Sequence, residues 1–332
     1  MIFDAHSDFG LFLFKESLDG RRGALAKSHY DQLLQAGIVA EVLTVGGDFS
    51  LWGINFKKAE NVLKTIDTVR EEIEYSEGCF CLIENEEDFN KISNSAIGIL
   101  LALEGATPLA ENPDLLDTFY SKGIRSVMLT ANQENTFSGG CQTPEIGLSS
   151  FGNELIRRIS KKPMMLDLAH ISERAFFEVI DNYAQPVIVS HANVRKLSNH
   201  FRNLSDEQLL CLAERHGVIG ISLISLFIEN NPLKRTSLSM YKEHLMHAAG
   251  LIGMQSIGVG ADMMDYMVDA ATELINSHNL PLTMFSYPEG IENTADIHHA
   301  AYTIQESFPS YEAEAIMFGN FASAYRNALK AK

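Results

Sequence analysis

The sequence is short of positive charge, of cysteine and of long apolar runs, and each shortage removes a class of function. Its 26 basic residues face 43 acidic ones, for a formal net charge of −17. A surface of this sign repels phosphate backbones and anionic lipid headgroups, so nucleic acid and membrane surfaces are poor partners. A local cationic site stays open to it, because bound metal ions can dominate the charge in a pocket. No apolar run approaches the ~18–20 residues of a membrane span. The opening MIFDAHSD has no basic stretch and turns acidic after three residues, so no secretory leader is read there. The four cysteines, Cys79, Cys81, Cys141 and Cys211, do not suggest a disulfide framework, and a reducing cytoplasmic setting is expected. Cys79-x-Cys81 lacks the second pair that a structural zinc site needs.

What is present reads as one large α/β domain over residues 1–332, with 46% hydrophobic and 21% charged residues, enough to build a buried core. Short runs rich in Val, Ile and Leu predict eight strands: Ile2–Ala5, Ile38–Val45, Ala96–Leu103, Ile124–Leu129, Met164–Leu168, Val187–Val189, Val218–Leu223 and Ser256–Val259. They mostly lack strict alternation, as strands covered on both faces of a parallel sheet do. Helical patterns lie between them. Residues 59–75 put Val62, Ile66, Val69 and Ile73 on one stripe. Residues 172–184 open on Ser172 as N-cap, and 205–217 carry Ser205 with Gln208 in a capping box and end at Gly217. Residues 310–330 read as closing helices. Eight β-α alternations predict a (β/α)8 TIM barrel. Segments 46–95, 223–255 and 263–310 are long for one unit and are expected as insertions or lids over the C-terminal face.

In such a barrel the chemistry sits where the strands end. The first strand is followed by His6 and Asp8, the third by Glu104, the fifth by Asp167 and His170, the sixth by His191 and the eighth by Asp262 and Asp265. These are the ligand types of borderline divalent metals. His6 and Asp8 are two apart, which on a strand places them on one face and lets them grip one ion. A glutamate can bridge two ions, and two ions about 3.5–4 Å apart can hold a hydroxide ready to attack a carbonyl or phosphoryl centre. Any one of these residues alone is more often structural; the argument rests on their joint delivery to one rim. The other eight of the eleven histidines fall in helical or loop contexts and read as surface or packing residues. His244-x-x-His247 lacks the glutamate of a metalloprotease helix, and the GVG at 258–260 is not followed by the third glycine of a nucleotide loop.

The quoted set resembles the membrane (renal) dipeptidases and their soluble bacterial relatives, within the amidohydrolase superfamily. DAHSD is similar to that family's Asp-Gly-His-Asn-Asp opening, LEG around Glu104 to its bridging-glutamate segment, and residues 143–172 to the stretch leading into its first late histidine. Residues 186–209 resemble the segment holding its second, with Arg202-Asn203 eleven residues on, and GVGADMMD resembles its strand-8 motif. The likeness runs from residue 2 to about 330. It implies a binuclear zinc dipeptidase acting on small peptides. His6, Asp8 and Glu104 would hold one Zn2+, and Glu104, His170 and His191 the other. Asp262 would shuttle the proton between water and leaving amine, and Arg202 would bind the substrate carboxylate. Members of the family often pair, so a homodimer is one state the resemblance allows.

The chain also departs from the pattern. Where the family has a histidine in a Leu-Thr-His-Asn segment, this chain reads LTANQENT, with Ala131 in that place, and Asn132, Gln133 or a metal would have to assist the scissile carbonyl. The family tryptophan after the opening motif is absent, and a family tyrosine maps near Ile224. The metal machinery therefore transfers better than dipeptide specificity. The same core could act on another small amide, an N-acyl amino acid or a lactam. It could also have become a metal-binding barrel without catalysis. Other metal-dependent hydrolases, phosphoesterases included, use similar ligands.

Overall fold

The computed structural model describes residues 1–93, 95–278, 281 and 284–330, the side chains of 277 and 278 excepted. Part of the expected 263–310 insertion, and the side chain of His278, therefore lie outside the described residues. Eight parallel strands close on themselves: β1 (Ile2–Ser7), β2 (Ile38–Gly47), β3 (Ile97–Glu104), β4 (Ile124–Met128), β5 (Met165–Asp167), β6 (Val187–Ala192), β7 (Val218–Ile221) and β8 (Ile257–Val259). Each pairs with its neighbour in chain order, and β8 returns to β1 through Asp4 opposite Val259. All eight predicted strands are present. Their continuous Val/Ile/Leu runs have the expected cause: alternate residues pack against helices outside and against one another inside.

The inside is filled at the bottom. Phe3, Ala5, Val42, Leu100, Met165 and Val218 form an interior cluster with the helix Asn320–Ala328. Phe3 stacks on Phe321 and Tyr325 at ring-centroid distances of 5.8 and 5.5 Å, so the last described helix closes the N-terminal end. Outside, helix Ala59–Tyr75 buries Val62, Ile66 and Val69 fully, leaving Ile73 half-buried at the end of the stripe. Each such side chain contributes about 1.5–3 kcal/mol by leaving water. Ser205 and Gln208 form the expected capping box at the start of helix Asp206–Glu214. That helix ends earlier than predicted, and His216, not Gly217, takes the left-handed turn at φ 54°.

The barrel is irregular where it meets the site. On β1, Asp4 lies opposite Glu41 but Ser7 opposite Leu43, so three steps along β1 match two along β2. On β6, Val189 and Ala192 lie opposite Ile219 and Ile221, the same surplus of one residue. An extra residue breaks the two-residue alternation and re-aims the side chain that follows. Phe3 and Ala5 point inward, and the bulge brings His6 inward as well; Ile188 points inward, and the second bulge does the same for His191. The bulged backbone also projects the Ser190 carbonyl oxygen into the barrel. A Cβ on Gly220 or Gly260 would lie 1.9 Å from that oxygen, so only glycine fits at either position.

The three long segments divide differently from expectation. In 46–95, the hairpin Ser50–Leu51/Ile54–Asn55 packs with Met264 and Met267 near the mouth, but Phe80–Leu82 pairs alongside the start of β3, away from it. Segments 223–255 and 263–310 are stitched to each other. Ser225 N donates to Ser286 O at 2.7 Å, and the Arg235 guanidinium donates to the carbonyls of Tyr287, Pro288 and Ile291 and to the Glu292 carboxylate. No described helix is long and apolar enough to cross a membrane.

His244 of helix Leu238–Ile252 is buried, accepting from Val194 N at 3.0 Å through Nδ1 and facing Ile228 O at 2.8 Å through Nε2. Its partner in the sequence pattern, His247, instead meets Asp206 Oδ1 at 2.8 Å, so the two share no site. Burial pushes the His244 imidazole down from 6.5 to about 4. Between those values the unfolded chain binds the proton and the folded chain does not, so stability is complete above 6.5 and falls as pH drops towards 4. Melting temperatures across that range are expected to fall less steeply in His244→Gln than in the wild type; parallel curves would remove His244 from this dependence.

Candidate metal centre

Five strands deliver the predicted residues to one point above the filled core. His6 comes from β1 and His191 from β6, each turned by its bulge. Glu104 ends β3, where ordinary alternation after Leu100 and Ala102 already aims it inward. His170 and Asp262 lie in the loops after β5 and β8, both in the left-handed region, at φ 65° and 59°. Non-glycine residues occupy that region at a cost of order 1–3 kcal/mol each. Asp8 corrects the argument that placed it on a strand face with His6. β1 ends at Ser7, and Asp8 is the capping residue of helix Phe9–Leu18. The chain turn, and not the pleat, brings it beside His6.

The predicted residues lie close together, in subsets that differ from the ligand sets expected. The His6 and His191 rings stack at 3.9 Å between centroids, so the N-terminal pair and the later residues share one pocket. His6 Nε2 lies 3.8 Å from Asp8 Oδ1, 3.8 Å from Glu104 Oε2 and 3.9 Å from Asp262 Oδ1. His170 Nε2 lies 2.9 Å from both Glu104 Oε1 and His191 Nε2. Glu104 thus turns one oxygen to His6 and the other to His170. Two subsets, His6–Glu104–His191 and His6–Asp8–Asp262, hold their ligand atoms within 4.8 Å of one another. Donors about 2.0–2.2 Å from a shared ion stand roughly 3–4 Å apart, which these spacings accommodate.

The electrostatics also fit cations. Burial, then the Asp262 charge, pushes Asp8 up to about 7. Burial, then Asp8 and Asp262, raises Glu104 well above the usual carboxylate range. Burial raises Asp262 to about 6 against the pull of Arg202, and it lowers all three imidazoles, His6 to about 3. Among the described residues Arg202 is the cation that acts on His6, Glu104, His170, His191 and Asp262. Asp8 Oδ1 and His6 Nδ1 are buried with no hydrogen-bond partner among the described residues. A buried carboxylate oxygen without a donor is costly. Neutral imidazole nitrogens and unpartnered carboxylate oxygens around one space are the donor set of a divalent metal.

The surrounding residues take several roles. Asp167 Oδ1 accepts from Ala169 N at 2.9 Å and Ser190 N at 3.0 Å, tying the loop that bears His170 to the strand that bears His191. Ser190 Oγ lies 2.8 Å from His191 Nδ1, a contact that sequence reasoning missed; the serine directly before the histidine was its only signal. Asp265 is drawn away, accepting from Thr294 N and Oγ1, and belongs to the packing of the 263–310 segment. Arg202 is 3% exposed, donates to His191 O at 3.2 Å and leaves its Nε unpartnered among the described residues. Asn132, expected to face substrate, turns its side-chain oxygen to His170 Nδ1 at 2.9 Å.

A TIM barrel whose mouth gathers three imidazoles and three carboxylates is the architecture of metal-dependent hydrolases. The membrane dipeptidase family (peptidase family M19) matches residues 1–285, and the chain belongs to that family. It is 31% identical over 192 residues to an uncharacterized protein of Acinetobacter calcoaceticus, covering 55% of this chain and 61% of that one. It is 31% identical over 175 residues to an uncharacterized dipeptidase of Schizosaccharomyces pombe, covering 51% of this chain and 42% of that one. The chain thus spans less than two thirds of the length of these relatives. Its fold is similar to that of a metallopeptidase from Rhodobacter sphaeroides solved with a phosphinate mimic of the dipeptide L-Ala-D-Ala, with TM-score 0.83 and 18% identity over 98% of this chain and 99% of that one. It is equally similar to a structure described as dipeptidase AC, with TM-score 0.84 and 18% identity over 99% of each chain.

Glu104 turns an oxygen to each side of the cluster, so Glu104→Gln is expected to weaken all metal uptake together. Titration with Zn2+ against a chelator should show loss of affinity for every equivalent at once. Loss of one equivalent with the other unchanged would contradict a shared ligand.

Proposed function

We propose that the protein is a binuclear-metal dipeptidase, with zinc as the first candidate metal. His6, Asp8 and Glu104 would hold one ion; Glu104, His170 and His191 would hold the other. The observation that carries this reading is the convergence of these five residues with Asp262 and a buried guanidinium in one space. A metal bound there would lower the pKa of a water and polarise a carbonyl oxygen. The chain's own residues do the rest. Asp262 is the most accessible of the three carboxylates, at 14% of its side chain against 11% for Asp8 and 9% for Glu104. Its Oδ1 takes the proton of the attacking water and returns it to the departing amine nitrogen. The Arg202 guanidinium receives the substrate's terminal carboxylate, which its planar fork matches. Asn132 keeps the NH2 half of its amide for the substrate carbonyl, in the neighbourhood where the family's histidine is replaced by Ala131.

A second reading keeps this centre and changes the substrate to another small amide, an N-acyl amino acid or a lactam. Ala131 favours it, because an oxyanion donor is typically worth about 3 kcal/mol and its loss redirects specificity. The four free cysteines support a reducing compartment. Elemental analysis of the purified protein, followed by hydrolysis assays on L-L, L-D and N-acyl substrates before and after chelation, tests both readings. Two metal equivalents with chelator-sensitive dipeptide cleavage are expected. Refusal of every dipeptide alongside cleavage of an acyl amino acid selects the second reading, and absence of metal and of all turnover ends both.

Asp262→Asn is expected to lower kcat by about 10²–10⁴-fold while metal content stays unchanged. Full turnover in this variant would remove the proton-transfer role and revive a barrel whose Asp262 is idle. Arg202→Ala is expected to raise KM for free dipeptides by about 10–100-fold, from the loss of a charge-assisted pair, and to affect C-terminally amidated dipeptides far less. Equal effects on the two substrate forms would refute the carboxylate contact.

A further inference from the structure

We infer that Asn132 is a positioning residue of the metal centre, whose side-chain oxygen locks His170 in the tautomer that leaves Nε2 free to bind an ion. The inference rests on the metal-centre reading proposed above and extends it to a residue outside the ligand set. His170 Nδ1 lies 2.9 Å from Asn132 Oδ1. An amide oxygen only accepts, so the hydrogen of a neutral His170 belongs on Nδ1. The amide orientation has a second witness: the Cys141 thiol donates to the same Oδ1 at 3.3 Å. With the hydrogen on Nδ1, the lone pair is on Nε2, the atom 2.9 Å from Glu104 Oε1 and from His191 Nε2.

The backbone is built around the same contact. Asn132 and His170 both take left-handed conformations, at φ 66° and 65°. Asparagine and histidine are both among the side chains enriched in this region, yet each still needs support to stay there. That support comes from the loop carrying Asn132. Cys141 N donates to His170 O at 2.7 Å, Thr130 Oγ1 to the same carbonyl at 3.2 Å, and Gln142 N to Asn132 O at 2.9 Å. The loop after β4 is therefore a brace on the loop after β5. It sets the backbone of His170 from one side and its ring from the other. Metal-binding imidazoles commonly give their second N–H to such a partner, and losing it typically weakens metal binding by about 10–100-fold.

Two variants separate this role from a substrate contact. Asn132→Gly keeps the left-handed backbone and deletes the oxygen. Asn132→Asp keeps backbone and acceptor and puts a second, charged oxygen in place of the NH2. Zn2+ and Co2+ affinities of the apo protein are measured by chelator competition, with the visible spectrum of the Co2+ form. ¹⁵N-resolved spectra of the His170 ring read the tautomer without any metal. In Asn132→Gly, one of the two ions is expected to loosen about 10–100-fold, the Co2+ spectrum to change and the Nδ1–H tautomer to lose its dominance. Asn132→Asp is expected to retain both ions and the tautomer while raising KM. Wild-type tautomer and affinities in Asn132→Gly would overturn the inference, as would an Asn132→Asp that fails as the glycine does. A wild type that binds no metal but shows the locked tautomer would sink the metal-centre reading alone. A wild type without the Nδ1–H tautomer sinks this one.

Discussion

Everything at the mouth of this barrel depends on burying like charges together. Asp8, Glu104 and Asp262 crowd around His6 within 3.9 Å, in a space that excludes most water, and each has its carboxyl pushed upward by that burial. Among the described residues Arg202 is the one counter-charge acting on Glu104 and Asp262, so the carboxylates stand close together with little to balance them. Cations resolve this, and the neutral, depressed imidazoles of His6, His170 and His191 are ready to share them. Buried carboxylates beside neutral imidazoles suit a small divalent cation.

Holding such a cluster requires a scaffold that does not relax. The bottom of the barrel supplies it, with Phe3, Phe321 and Tyr325 stacked beneath the site. The top supplies it by departing from regular geometry. Bulges on β1 and β6 turn His6 and His191 inward, Gly220 and Gly260 make room for the displaced Ser190 carbonyl, and Asn132, His170 and Asp262 occupy left-handed conformations. Three of the six non-glycine residues with positive φ among the described residues are thus at the site. Conformations of that cost persist where surrounding bonds over-determine them.

Much of this was legible in the sequence, for identifiable reasons. The eight strands announced themselves because both their faces are buried, which leaves continuous Val/Ile/Leu runs, and Ser205 with Gln208 announced a helix start through a purely local bond. The site residues were legible as types at strand ends. What stayed hidden depends on register between distant segments. The alternation in DAHSD suggested that the pleat pairs His6 with Asp8, whereas a bulge and a helix cap do so. Nothing local to Phe80–Leu82 says that it pads β3, and nothing around Asp265 says that Thr294 captures it. The bond between Asn132 and His170 spans 38 positions and two loops.

The guanidinium of Arg235 reaches three carbonyls and one carboxylate of the 287–292 stretch, and so makes the two long excursions above the mouth a single mechanical piece. Neither excursion can lengthen, shorten or be grafted elsewhere independently, because the other would lose its anchor. Redesign of the entrance to admit a bulkier compound has to exchange both stretches as a matched cassette.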